Sequence, residues 1–276
     1  MPDHSAPPTR RSQTARCRVL LLGGTGDAAV LAGSIPARFA DDVLITTSLA
    51  GRTEQPTRIP GDVRTGGFGG VEGLTAYLRD QAIDLVLDAT HPFADQISAH
   101  ARIACEAAAV DRLMLVRPMW RRDPLDRWIE VADLAAAAAI VDKIGRRAWL
   151  TIGARELHAF ANVTGVQFLV RLIHAPSDPL PLKQHEIIIG RGPFGLREEQ
   201  HVLQEHAIDV LVCKASGGAA TEAKLVAARG AKLPVIMVRR PPTEPGAAVV
   251  SIEAAMTWLG TFLARKAVST TDPCLS

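Results

Sequence analysis

A short apolar run, Arg18-Val19-Leu20-Leu21-Leu22, breaks at Gly23-Gly24-Thr25-Gly26, and a stretch with helical apolar spacing at Val30, Leu31 and Ile35 follows from Asp27 to Arg38. That succession of strand, glycine turn and helix confines the start of the chain to few folds. A strand whose successive side chains are apolar has both faces covered, which is the habit of a parallel sheet. The alternation then repeats. Strands are predicted at 43–47, 62–65, 84–89 and 112–116, with a helix ending near Leu78 and an Ala-rich helix from Phe93 to Ala108. The segment from Arg117-Pro118 to Pro124 reads as a crossing, after which strands are expected at 128–131, 148–152, 168–173, 187–189, 210–214 and 234–239. Helices are expected at 133–144, 198–206, 219–229 and 252–266. The expected class is therefore α/β: two Rossmann-like, doubly wound parallel-sheet lobes facing a central cleft. The boundaries predicted are a disordered tail over 1–16, a first domain over 17–117, a second over 118–266 and a loose tail over 267–276.

Composition narrows the function classes. A formal net charge of +2 over 276 residues offers no general footprint for nucleic acid. No stretch approaches the roughly 20 apolar residues of a membrane span. The four cysteines show neither metal-ligand spacing nor disulfide density, which suits a reducing compartment. The first residues lack the apolar core of a secretory signal, so a cytoplasmic location is expected. His201 and His206 stand five apart and share no helix face, so no metal site is expected. Nothing sets an oligomeric state, and a monomer is compatible with the sequence.

Gly24-x-Gly26-x-x-Ala29 matches the dinucleotide fingerprint in its G-x-G-x-x-A form, directly after a strand and at the start of a helix. Gly24 permits the tight turn, Gly26 lets the backbone approach a pyrophosphate, and Ala29 allows close helix–sheet packing. Thr25 and the free N–H groups of the helix start complete the anion seat. Strand two ends Thr46-Thr47-Ser48-Leu49-Ala50-Gly51-Arg52-Thr53 without a carboxylate to accept from a ribose 2′-hydroxyl. Ser48, Arg52 and Thr53 offer donors and a fixed positive charge instead, which suits a 2′-phosphate, so NADPH is the expected cofactor. Gly66-Gly67-Phe68-Gly69-Gly70 ends a strand of the same sheet, and Gly66, Gly67 and Phe68 are taken as further cofactor contacts. A flexible connector is the alternative reading.

Asp88-Ala89-Thr90-His91-Pro92-Phe93 ends another strand, and His91 is a candidate proton donor or simply a turn residue at a helix start with Pro92 at its first position. In the second lobe, Thr151-Ile152-Gly153 and Lys214-Ala215-Ser216-Gly217-Gly218 repeat the strand-to-glycine arrangement, and Arg191-Gly192-Pro193-Phe194 adds a cation on a loop. Thr151, Gly153, Arg191, Ser216, Gly217 and Gly218 are accordingly candidate substrate contacts for a ligand with several carboxylates. Lys214, a lysine at the end of an apolar strand, is the leading catalytic candidate; a salt bridge to Glu222 or another carboxylate is its structural alternative. Other chemistries are missing their residues. Gln81 stands four after the single tyrosine, Tyr77, where short-chain dehydrogenases carry Lys, and neither a nucleophile elbow nor a phosphate-binding G-x-x-x-x-G-K-[ST] loop occurs.

Taken in order, Leu21-Leu22-Gly23-Gly24-Thr25, Ser48 to Thr53, Gly66 to Gly70, Asp88 to Ala94, Arg117-Pro118-x-Trp120, Thr151 to Gly153, Arg191 to Phe194 and Lys214-x-Ser216-Gly217-Gly218 make the chain resemble the precorrin-6A reductase family of cobalamin biosynthesis. The family often has Glu and Arg shortly after the first glycines, where Asp27 and Ala29 stand here. The resemblance implies NADPH on the first lobe, a tetrapyrrole substrate between the lobes, and hydride transfer to a ring carbon–carbon double bond of precorrin-6A, giving precorrin-6B. Three alternatives share the fold: an NADPH reductase of another polycarboxylated conjugated substrate, a non-catalytic NADP-binding regulator, and a two-lobed nucleotide-sugar transferase.

Overall fold

The computed structural model describes residues 16–40, 42–51 and 60–271, with side chains to residue 268. β1 (Cys17–Leu22) alternates its side chains between two apolar layers. Val19 and Leu21 enter one layer, and Leu20 and Leu22 the other. α1 (Gly26–Phe39) covers the first layer with Ala28, Leu31, Ala32 and Ile35. β2 (Val43–Leu49) and β3 (Asp62–Thr65) extend the sheet on one side of β1. α2 (Gly70–Asp80) brings Leu74 and Leu78 to the second layer. β4 (Leu85–Asp88), α3 (Asp95–Ala108) and β5 (Asp111–Leu115) build the other side. The predicted start of α3 at Phe93 is two residues early. The peptide N–H of Ala94 first closes a turn on the His91 carbonyl at 2.7 Å, and Pro92 therefore lies in that turn.

The second unit repeats the scheme. β6 (Arg127–Val131) is followed by α4 (Leu134–Ile144), whose N-cap Asp133 accepts from the Ala136 N–H at 2.8 Å. β7 (Arg147–Leu150), a 3-10 helix (Ala154–Phe160), β8 (Gln167–Leu172) and β9 (His185–Ile189) follow. Next come α5 (Leu196–Glu205), β10 (Val210–Lys214), a 3-10 turn (Ala219–Thr221), α6 (Ala223–Gly230) and β11 (Pro234–Val238). The strand order is β6-β11-β10-β7-β8-β9. α4 covers one face of this sheet, while α5 and α6 cover the other.

The chain then returns to the first sheet. β12 (Ala247–Val249) pairs in parallel with β5, which completes the order β12-β5-β4-β1-β2-β3. α7 (Ile252–Thr271) packs Ala255, Met256, Leu259 and Phe262 into the α1 layer. The predicted boundary of the second domain at 266 is thus corrected. Residues 244–271 belong to the first unit, and residues 91–95 belong to the second with 117–243. The helix also continues through residues 267–271, which were expected to be loose. Both sheets are parallel in every pairing, as the expected class requires.

Candidate functional site

In a doubly wound sheet, the crevice for a ligand opens where the strand order reverses, beyond the carboxyl ends of the two strands that flank the reversal. In the first sheet that point lies between β1 and β4. Gly23 to Gly26 leave β1 there, and Ala89-Thr90 leave β4. Thr25 closes the gap: its hydroxyl donates to the Ala89 carbonyl at 2.7 Å and accepts the Ala28 N–H at 3.1 Å, capping α1. Its side chain is therefore used by the fold, and what it presents to a ligand is its backbone. Gly24 has φ +98°, which disfavours any side chain, and a Cβ added at Gly24 or Gly26 would meet nothing within 4 Å. The outer face of the turn is open, so the residues fit an approaching pyrophosphate. The expected role of Ala29 falls to its neighbour: Ala28 is buried against the sheet, and Ala29 is only half-buried.

At the β2–β3 edge, Ser48 and Arg64 are register partners. Arg64 Nη1 donates to Ser48 Oγ at 3.0 Å and to the Gly66 carbonyl at 2.9 Å, while Nη2 donates to the Gly67 carbonyl at 3.0 Å. The guanidinium carbon lies 3.8 Å from the centre of the Phe68 ring, and Phe68 meets Tyr77 edge-on at 5.2 Å. The Gly66-Gly67 backbone is thus tied down rather than a loose connector, and Phe68 is a platform for Arg64. Arg52 and Thr53 lie outside the described residues.

In the second sheet the order reverses between β7 and β10. Thr151 to Gly153 leave one strand and Lys214 to Gly218 leave the other. Lys214 Nζ donates to both carboxylate oxygens of Glu156, at 2.8 and 3.0 Å, and lies 4.8 Å from the centre of the Phe93 ring. Its partner is Glu156, not Glu222. Glu156 also accepts the Gly153 N–H at 2.8 Å, which fixes the carboxylate against the turn. Lys214, Glu156, Phe93, Leu134, Val238 and Arg240 line a cavity of about 520 Å³, within the range of small-molecule sites. Arg240 holds the adjoining loop by donating to the carbonyls of Ala215, Ser216 and Arg117 at 3.1, 2.6 and 2.8 Å. Gly217 is obligatory beneath it: φ is +66°, and a Cβ would stand 2.2 Å from the Pro118 carbonyl oxygen. The Gly218 carbonyl accepts from the Trp120 indole at 2.9 Å.

His91 belongs to this unit. Its Nδ1 accepts the Phe93 N–H at 3.3 Å, which leaves any proton on Nε2. Burial, and then the charges of Lys214, Arg117, Lys224 and Arg240, push its pKa down to about 3. The imidazole is neutral at physiological pH, so the expected role of proton donor is not one it can fill as imidazolium. The four charges that act on it are all cations and all act in the same direction as burial. Thr151 directs its hydroxyl to the Val212 carbonyl at 3.0 Å, and Ser216 is buried. Arg191 is exposed, with Nη2 3.3 Å from His174 Nε2.

Sequence reasoning missed Glu156, Arg64 and Arg240. Glu156 carried a usable signal, since a Glu three residues after the turn glycine has capping-box spacing. Arg64 had none, because its partner Ser48 is sixteen residues away and only strand pairing joins them. Among the described residues there is no His, Cys, Asp and Glu cluster able to hold a metal ion and no helix long and apolar enough to cross a membrane.

Fold and sites together define a two-unit, doubly wound α/β protein with a glycine-containing turn at each reversal point. Residues 18–260 match the family described as precorrin-6x reductase CbiJ/CobK. The precorrin-6A reductase of Rhodococcus erythropolis is 43% identical over 251 residues, covering 90% of this chain and 99% of the relative. A solved structure titled CobK precorrin-6A reductase superposes with a TM-score of 0.83 at 40% identity, covering 89% of this chain and 96% of the other. A cobalt-precorrin-6A reductase of Salmonella typhimurium is 28% identical over 246 residues, covering 86% of this chain and 93% of the relative. The chain belongs to the precorrin-6x reductase family, and it is a reductase.

Proposed function

We propose that the chain reduces a ring carbon–carbon double bond of precorrin-6A, with NADPH as hydride source, to give precorrin-6B in cytoplasmic cobalamin biosynthesis. The relative named for precorrin-6A is closer in sequence than the one named for its cobalt complex, which favours the substrate without cobalt. The observation that supports the cofactor is the first reversal point: an open glycine turn runs into a capped helix start, and no carboxylate stands at the end of β2 among its described residues.

NADPH, held at the Gly24–Gly26 turn and the start of α1, would supply the hydride, and one proton delivered to the neighbouring carbon would complete the reduction. Lys214 is the group that holds such a proton. Its ammonium lines the cavity, with the side chain only 16% exposed, and Glu156 keeps it in place. Protonated, it also stabilises charge that develops on the conjugated ring. Neutral His91 can offer its Nε2 hydrogen in a hydrogen bond while keeping the proton, and Arg240 and Gly217 fix the Ser216–Gly218 loop that follows Lys214. Phe93, Leu134 and Val238 give the same cavity its apolar wall.

Titration of the purified protein with NADPH and NADH, followed by precorrin-6A addition, tests the reading. NADPH is expected to bind in preference and to be oxidised one for one with reduced product. Indifference to NADPH, or a preference for NADH, overturns it.

A further inference from the structure

The end of β3 carries an arginine whose charge no described residue cancels. Arg64 makes three hydrogen bonds, all to neutral acceptors: the Ser48 hydroxyl and the carbonyls of Gly66 and Gly67. Among the described residues no carboxylate pairs with it. Its five N–H groups are two on each Nη and one on Nε. Both on Nη1 and one on Nη2 are engaged, which leaves the Nε hydrogen and one Nη2 hydrogen for a ligand. One face of the guanidinium is covered by Phe68 at 3.8 Å, so the plane of the fork is fixed. The side chain is half-buried, not waving in solvent. Ser48 is 7% exposed and accepts from Arg64, so its hydroxyl hydrogen is available to an acceptor.

The place matters as much as the chemistry. In a sheet of order β5-β4-β1-β2-β3, a dinucleotide laid on the β1 turn puts its adenine ribose over the carboxyl ends of β2 and β3. Ser48 and Arg64 stand at those ends in register with each other. A ribose bearing only hydroxyls is usually met there by a carboxylate acceptor, whereas an uncancelled arginine fork beside a serine hydroxyl offers mainly donors and a positive charge. We propose that Arg64, with Ser48, recognises the 2′-phosphate of the cofactor and sets the preference for the phosphorylated over the unphosphorylated dinucleotide. The inference rests on the NADPH reading above and names the residues that make the choice.

The test compares wild-type protein with Arg64→Met and Arg64→Lys by calorimetric titration with NADPH, NADH and 2′,5′-ADP, with no substrate present. In Arg64→Met, NADPH and 2′,5′-ADP are expected to bind about 10- to 100-fold more weakly, the scale of a charge-assisted hydrogen bond, while NADH affinity holds and so shows that the fold is intact. Arg64→Lys, which keeps the charge and loses the fork, is expected to fall between. If Arg64→Met keeps the wild-type preference for NADPH, the assignment to Arg64 is wrong although the cofactor reading stands. If NADPH and NADH weaken together, Arg64 shapes the Gly66-Gly67 loop and does not read the phosphate, which also overturns the inference. A wild-type protein that prefers NADH removes the cofactor reading itself, and Arg64 with it.

Discussion

The two reversal points use the same topology and opposite materials. The crevice of the first sheet is mostly backbone: open glycines, a capped helix start and one arginine bonded only to neutral acceptors. The site of the second sheet is built from side chains: Lys214 is paired with Glu156, and Arg240 is tied to loop carbonyls, while the same unit holds the bidentate pair Arg171–Glu199. A backbone seat suits a ligand whose phosphates always sit the same way, because peptide N–H groups are fixed by the fold. A cation held at a strand end suits a ligand with several carboxylates, because a fixed positive charge can meet an arm without first being ordered.

The contrast can be broken most sharply at Glu199, whose side chain is 4% exposed and whose partner Arg171 is stacked on Phe194 at 3.9 Å and Trp149 at 4.5 Å. Glu199→Leu strands that cation in the core and is expected to cost about 3–5 kcal/mol in urea unfolding, with NADPH binding unaltered. Adding Arg171→Met should recover most of the loss; no recovery would mean that the pair does more than neutralise itself. Next in size is Lys214→Ala, expected to lower turnover about 100-fold while NADPH affinity hardly moves. Steady-state rates beside cofactor titration separate the two quantities, and unchanged turnover removes Lys214 from the mechanism.

His91 sharpens the comparison through pH. Imidazole ordinarily titrates near 6.5, and here burial and its cationic neighbours bring it to about 3. The folded pKa lies below the unfolded one, so the unfolded chain binds the extra proton between those values. Its contribution to stability is complete above the unfolded pKa and is lost as pH falls toward the folded one. His91→Asn is therefore expected to flatten the acid limb of the stability curve between pH 6 and pH 4, by up to about 1.4 kcal/mol per pH unit. Equal slopes in both proteins would place the imidazole in water. The smallest effect belongs to the first crevice: Thr25→Ala removes the α1 cap and is expected to cost about 1 kcal/mol. Thermal melts with and without NADPH check this, since a cap that also shapes the anion seat weakens cofactor binding as well.

Much of this was legible before any coordinates. β3 (Asp62–Thr65) and β10 (Val210–Lys214) fall where they were predicted, because a short apolar or β-prone run bounded by glycine or polar residues has one local solution. The turns at Gly24 and Gly217 were equally visible, as both need a positive φ. β12 was not. Ala247–Val249 is three residues long with two exposed alanines, and only the open edge of β5 makes it a strand. The 3-10 helix that carries Glu156 was missed for a related reason, since without strand β10 beside it the segment has no cation to pair with.

The sequence by itself determined the α/β alternation, the parallel pairing, the glycine turns and the identity of Lys214 as a cation at a strand end, because these depend on neighbours within a few residues. Tertiary structure decided which sheet the last helix joins, which carboxylate meets Lys214, that His91 stays uncharged, and that Ser48 and Arg64 stand side by side. Each of those is a contact or a field between residues far apart in the chain, and its energy exists only once burial has brought the partners together and taken the water away.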